Sequence, residues 1–293
     1  MDKNRYVDLL VDFSFKKIFG TDTNKAVLID LLNTIFEGKK VIIDLVYNKN
    51  EHHGDNQEEG TAIFDLLCTG DKGEKFLIEI QHSKPSNFKK RSIFYTSRLI
   101  SEQAPKGKMK EWAYNISEVY FVAIMDQKET NDTADKLISD GRHLHDICLC
   151  YRSTGEIFYE HLGYTYIDLT NFALTLEQCS SKLDKWFYHL KNLQNMASLP
   201  NGLEKTIFEL LYSIAEYTKL SKEEQDMYDE ALKRKWDNVA VMTEARESGE
   251  ARGRAEGERN KALEIARKMK ADGQPFELIL KFTELSAEEI EKL

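Results

Sequence analysis

Two short apolar runs each carry an acid where a strand of that composition would bury most easily without one. In Ile63-Phe64-Asp65-Leu66-Leu67 and Leu77-Ile78-Glu79-Ile80-Gln81, Asp65 and Glu79 interrupt large hydrophobic residues. A buried carboxylate is costly unless its charge is compensated, so both positions call for a partner. Glu79 and Gln81 lie two apart in one strand and project from the same face. Asp65 joins them if it stands opposite Glu79, a register that sets Gly70 against Glu74 and leaves Asp71-Lys72-Gly73 as a three-residue loop. Such hairpins commonly use a type I turn followed by a left-handed residue, and Gly73 occupies that place. Two carboxylates on adjacent strands, with the main-chain carbonyl of Ile80, form an all-oxygen site of the kind Mg²⁺ accepts, since that ion keeps several waters and takes few protein ligands. Such an ion could bind a phosphate oxygen and activate water for in-line attack. On spacing alone the competing reading is a structural acid pair satisfied by lysines or backbone amides.

The elements that must position these acids follow from changes of period. Residues 12 to 37 place Val27, Leu28, Leu31, Leu32, Ile35 and Phe36 on one helical face, with Gly38 as a stop. From Lys40 to Gln81 the pattern becomes three β-rich runs, VIIDLVY, AIFDLLCT and KFLIEIQ. Pro85 then opens a helix to about Gln103, and residues 116 to 125 read as a buried strand. Two or three strands are expected over 146 to 169, with a hairpin around Ser153-Thr154-Gly155. Beyond Leu176 the spacing is helical, and Ser221/Glu224 and Ser286/Glu289 form capping boxes. Gly249, Gly253 and Gly257 recur at intervals of four in a stretch of mixed charge, which reads as a solvated helix or, more sharply, as a stripe allowing close helix approach. The two short terminal helical segments read as docking elements or as a small helix-turn-helix.

Composition narrows the function classes. No apolar run approaches a membrane span and the first residues lack a signal-peptide core, so a cytoplasmic protein without membrane association is expected. Cys68, Cys148, Cys150 and Cys179 form no C-x-x-C pair and are expected as reduced core thiols. The net charge is -9, yet residues 84 to 110 hold eight Lys or Arg against one acid. Such a local stripe can steer a phosphate backbone, because the field near a surface follows charge within about 8 Å. Arg91, Tyr95 and Arg98 share a helical face, with Lys89 and Lys90 beside them, and are the candidate nucleic-acid contacts. His52 and His53 read as exposed loop histidines. No P-loop or G-x-S-x-G is present.

Over nearly its whole length the sequence resembles the PD-(D/E)XK nuclease superfamily, and more closely the Rpn-type recombination-promoting nucleases and transposases of bacteria. The resemblance is carried by DFSFKKIFG (12 to 20), IFDLLCTGDKGEKFLIEIQ (63 to 81), FKKRSIFYTSRLISEQAPKG (88 to 107) and the ARGRAEG tail with its terminal helices. It implies an α/β restriction-endonuclease-like core, a mixed central sheet flanked by helices, with an all-helical C-terminal extension. The expected division is a nuclease-like domain at 1–172, a helical extension at 173–243 and a charged glycine-spaced helix with short terminal helices at 244–293. It further implies a Mg²⁺-dependent DNA endonuclease, with Mn²⁺ or Ca²⁺ as substitutes, that promotes recombination or transposition-like events. Asp65 and Glu79, with Ile80, would hold metal, Gln81 would position water, and Asp12 would tune or complete the site. Gln81 departs from the superfamily's usual lysine; an amide orients water but cannot stabilise negative charge as an ammonium does. Lys16 or Lys84 would have to supply that charge, or activity would be weak. The alternative class is a nuclease-fold interaction module, and a second copy meeting through the C-terminal helices is a further expected partner.

Overall fold

The computed structural model describes residues 4–48, 51–52, 62–63, 65–81, 87–105, 112–126 and 142–293; of 51, 52, 62 and 63 it describes the main chain. They form two compact units, residues 1–235 and 236–293.

The first unit is built on a six-stranded mixed sheet in the order β1-β4-β5-β6-β8-β7. β1 (Leu45–Tyr47), β4 (Leu66–Gly70) and β5 (Lys75–Gln81) are antiparallel neighbours, and β5, β6 (Val119–Met125) and β8 (Ile157–Asp168) run parallel. β7 (Leu144–Cys150) closes the far edge against β8. β5 and β6 are central and buried on both faces, which is why they read as nearly continuous apolar runs.

Alternation divides the core in two. Phe76, Ile78, Ile80, Tyr120, Val122 and Ile124 face one layer, where they meet α1 (Asp12–Phe19), α2 (Lys25–Ile35), α4 (Lys182–Asn192) and α5 (Ile207–Ile214). Leu67, Leu77, Val119, Phe121, Ala123 and Met125 face the other, under Phe88 and Leu99 of α3 (Phe88–Ser101). The helices between 173 and 235 therefore share one apolar cluster with the sheet, and the limit of the first compact unit falls within α6 (Lys222–Ala271).

Several local expectations differ in instructive ways. The opening helix breaks after Phe19 because the chain there passes close to β4: a Cβ on Gly20 would lie 2.5 Å from the Leu66 side chain and 2.6 Å from the Lys16 carbonyl oxygen. Residues 41–44 leave the sheet because side chains take their backbone groups: Asn33 bonds both the N–H and the carbonyl of Ile42, and Asp71 accepts the N–H of Ile43. The run 62–69 splits into β3 (Ala62–Ile63), paired with β2 (Glu51–His52), and β4, so the main chain of His52 lies in a short strand; His53 lies outside the described residues. Cys68 and Cys179 are buried, but Cys148 is half-buried and Cys150 exposed, because β7 is an edge strand. The 151–156 hairpin forms with Gly155 at φ +78°.

In the second unit, α7 (Phe276–Thr283) and α8 (Ala287–Glu291) pack on the end of α6 through Ala266, Ile279, Leu285 and Ile290. Both expected capping boxes form. Gly249, Gly253 and Gly257 border open space within 4 Å, the solvated-helix outcome. Among the described residues no helix is long and apolar enough to cross a membrane.

Candidate active site

The β4–β5 hairpin adopts the register that brings the two acids together. Leu66 pairs with Ile78 and Thr69 with Lys75, the Gly70 N–H bonds the Glu74 carbonyl at 2.8 Å, and Gly73 takes φ +88°. Continued one residue beyond Leu66, that register sets Asp65 opposite Glu79. Asp65 itself bends out of the strand, and its side chain reaches back to β5: Oδ2 accepts the Ile80 N–H at 2.8 Å. The Asp65 N–H in turn donates to Glu79 Oε1 at 3.3 Å. In an extended strand the N–H and C=O of one residue lie on the same edge, so the Ile80 carbonyl faces the side that Asp65 occupies.

Charge is crowded there. Glu79 is 5% exposed. Burial raises the Asp65 carboxyl above its ordinary range against the Ile80 N–H and the charges of Lys16 and Arg91. Burial, then the Asp65 charge, pushes Glu79 up to about 8, opposed by Arg91 and Lys16. The environment favours one negative charge and strains against two.

Arg91 stands beside Glu79. Its Nη2 lies 3.6 Å from Glu79 Oε2 and donates to Gln81 Oε1, while its guanidinium sits 5.0 Å from the Phe88 ring centroid and 5.8 Å from that of Tyr95. Hydroxyl contacts fix the rotation of α3 that makes this possible: Ser92 with Tyr166 at 2.7 Å and Thr96 with Tyr164 at 2.8 Å. The accepting end of the Gln81 amide is thus committed to Arg91. Asp12 and Lys16, one turn apart on the outer side of α1, pair with each other at 2.7 Å and are 61% and 41% exposed. Their charges reach Asp65, but among the described residues no third acid, histidine or cysteine gathers with the pair into a ligand cluster.

The candidate nucleic-acid contacts divide. Lys90 is exposed and Lys89 half-buried near the start of α3, Arg91 and the half-buried Tyr95 turn toward the acids, and Arg98 pairs with Glu102 at 3.4 Å. Lys84 lies outside the described residues.

The donor set suits a hard divalent cation. The chain offers a half-buried and a buried carboxylate in unfavourable proximity and a main-chain carbonyl, oxygen donors throughout and few of them, as Mg²⁺ accepts. A cation between Asp65 and Glu79 would relieve the repulsion that raises both groups.

No curated protein and no solved structure matches the chain. A family model described as PD-(D/E)XK nuclease family transposase matches residues 9–245, a span holding α1, the acid-bearing hairpin and α3. With that match over most of its length, and with a helix-flanked mixed sheet bearing paired acids at one hairpin, the chain belongs to the PD-(D/E)XK nuclease transposase family.

Proposed function

We propose that the protein is a divalent-metal-dependent DNA endonuclease that hydrolyses phosphodiester bonds and promotes recombination or transposition-like events, as the Rpn-type resemblance implies. The observation that carries this reading is the Asp65–Glu79 pair, joined through the Ile80 and Asp65 amides. Asp65, Glu79 and the Ile80 carbonyl would hold Mg²⁺, with Mn²⁺ as a substitute. When bound, the ion supplies positive charge at a phosphate oxygen and eases the deprotonation of water. The two amide bonds orient the carboxylates in advance, so little reorganisation remains when substrate arrives. Asp12 tunes the site through Lys16, and Gln81 positions the attacking water.

The test is conversion of supercoiled plasmid by the full chain. Nicked or linear product with Mg²⁺ or Mn²⁺, absent with EDTA, is the expected result; DNA binding without conversion under either metal would overturn it. That opposite outcome is the second reading, an interaction module retaining the fold. It is favoured by one observation, the neutral amide of Gln81 at the superfamily's lysine position.

The DNA surface has its own test. If Lys89 and Lys90 meet phosphates, replacing both by glutamine should weaken binding to all sequences and flatten the log Kd against log salt plot by about 0.9 per contact. A slope equal to the parent's would place the DNA surface elsewhere.

A further inference from the structure

The acid pair needs positive charge both at rest and when negative charge builds on a phosphate held against it, and two cations, Lys16 and Arg91, act on both carboxylates. Lys16 is a poor candidate for that work. It is bound to Asp12 one turn away and is 41% exposed, so its partner and the solvent dilute its charge.

Arg91 differs in each respect. Its guanidinium lies against the Phe88 and Tyr95 rings and donates to the Gln81 amide oxygen, so its long side chain is held before any ligand binds. At 3.6 Å from Glu79 Oε2 it is too far for a full hydrogen bond, which leaves that carboxylate open to a cation while the positive charge stays beside it. Its Nε–H is shielded from solvent and has no acceptor among the described residues. A guanidinium fork fixed beside Glu79, with 29% of its side chain still exposed, is suited to the oxygens of a tetrahedral phosphate.

We infer that Arg91, delivered from α3 rather than from the acid-bearing strand, is a catalytic residue that contacts the scissile phosphate, and that Gln81 is its positioning residue. The inference rests on the endonuclease reading above and deepens it. It also gives position 81 a reason to be neutral: Arg91 needs an acceptor there, and an ammonium in its place would repel the guanidinium. Glutamine at the lysine position is then the complement of a cation supplied from elsewhere.

Four full-length chains test this: the parent, Arg91→Gln, Gln81→Lys and the double variant. Each is assayed for single-turnover plasmid nicking at saturating DNA and for Mn²⁺ affinity by calorimetry without DNA. Arg91→Gln should slow cleavage about 100-fold even at saturating DNA, the scale of losing one donor to developing charge, without weakening Mn²⁺ binding. Gln81→Lys should also cleave slowly and bind Mn²⁺ about tenfold more weakly, because two adjacent cations crowd the carboxylates. The double variant should recover about tenfold in rate over Arg91→Gln and return to parental Mn²⁺ affinity, since one cation again faces the pair. Arg91→Lys guards against a folding defect: keeping the charge but not the fork, it should fall between parent and Arg91→Gln. Parental cleavage by Arg91→Gln at saturating DNA, or parental Mn²⁺ affinity in Gln81→Lys, would overturn the assignment. A parent chain inert with both metals would sink the endonuclease reading instead, and the Mn²⁺ titrations alone would then decide whether Arg91 is the cation of the pair.

Discussion

Asp65→Asn and Glu79→Gln should each lower metal-dependent nicking by on the order of 1,000-fold or more, because either change removes a charged ligand at the reaction centre. The same substitutions should leave the metal-free protein at least as stable as the parent. Each amide keeps the shape of the carboxyl, and each variant leaves one ionisable group fewer in the crowded pair. The pH dependence carries the sign. Glu79 holds its proton up to about 8 in the fold and releases it near the ordinary carboxylate range when unfolded. Between those values the folded chain binds more protons, so the pair's contribution is full in acid and is lost as pH rises toward 8. Thermal melts of metal-free protein should show that decline in the parent and a flatter profile in Glu79→Gln. A decline of equal steepness in both would show that the pair does not carry the shift.

Trp186→Ala should cost about 3 to 5 kcal/mol, the range for deleting a large buried aromatic. Trp186 is fully buried, its Nε1 donates to Asp30 of α2 at 2.9 Å, and its ring lies 5.0 Å from Phe208 and 6.4 Å from Phe19. It therefore pins α4 to both α1 and α2 on the layer opposite α3. A chain ending at residue 172 would leave Phe15, Phe19 and Leu28 without that cover and should fail to unfold cooperatively in urea, whereas one ending at 235 should keep a single transition. A cooperative 1–172 fragment would show that the helices beyond it are a separable extension.

What could be read in the sequence was what local chemistry decides. The convergence of Asp65 and Glu79 follows from one turn, where Gly73 and the three-residue spacing admit few hairpins. The capping boxes and the buried strand over 119–125 are equally local. The rest depends on partners far along the chain. Arg91, Tyr95 and Arg98 share a helical face by spacing, but a face has no direction until the helix docks. Docking runs through Ser92 and Thr96 to two tyrosines of β8, and it turns Arg91 toward Gln81. Likewise the amphipathic pattern of 182–192 announces a buried face without saying that α1 and α2 lie beneath it. The bend at Asp65 is not legible because it is held by a side-chain carboxylate accepting a main-chain N–H, a bond that hydrophobic alternation does not register.

The Asp71-Lys72-Gly73 turn lies at the far end of the hairpin from the acids, yet its length belongs to the chemistry. Strand side chains alternate, so one added residue there would slide β4 by one position against β5 and carry Asp65 to the opposite face from Glu79. Over generations of this gene, Asp71 and Lys72 could therefore drift in identity more freely than the turn could drift in length. Insertions and deletions, rather than substitutions, are the lesions to which this stretch is most exposed.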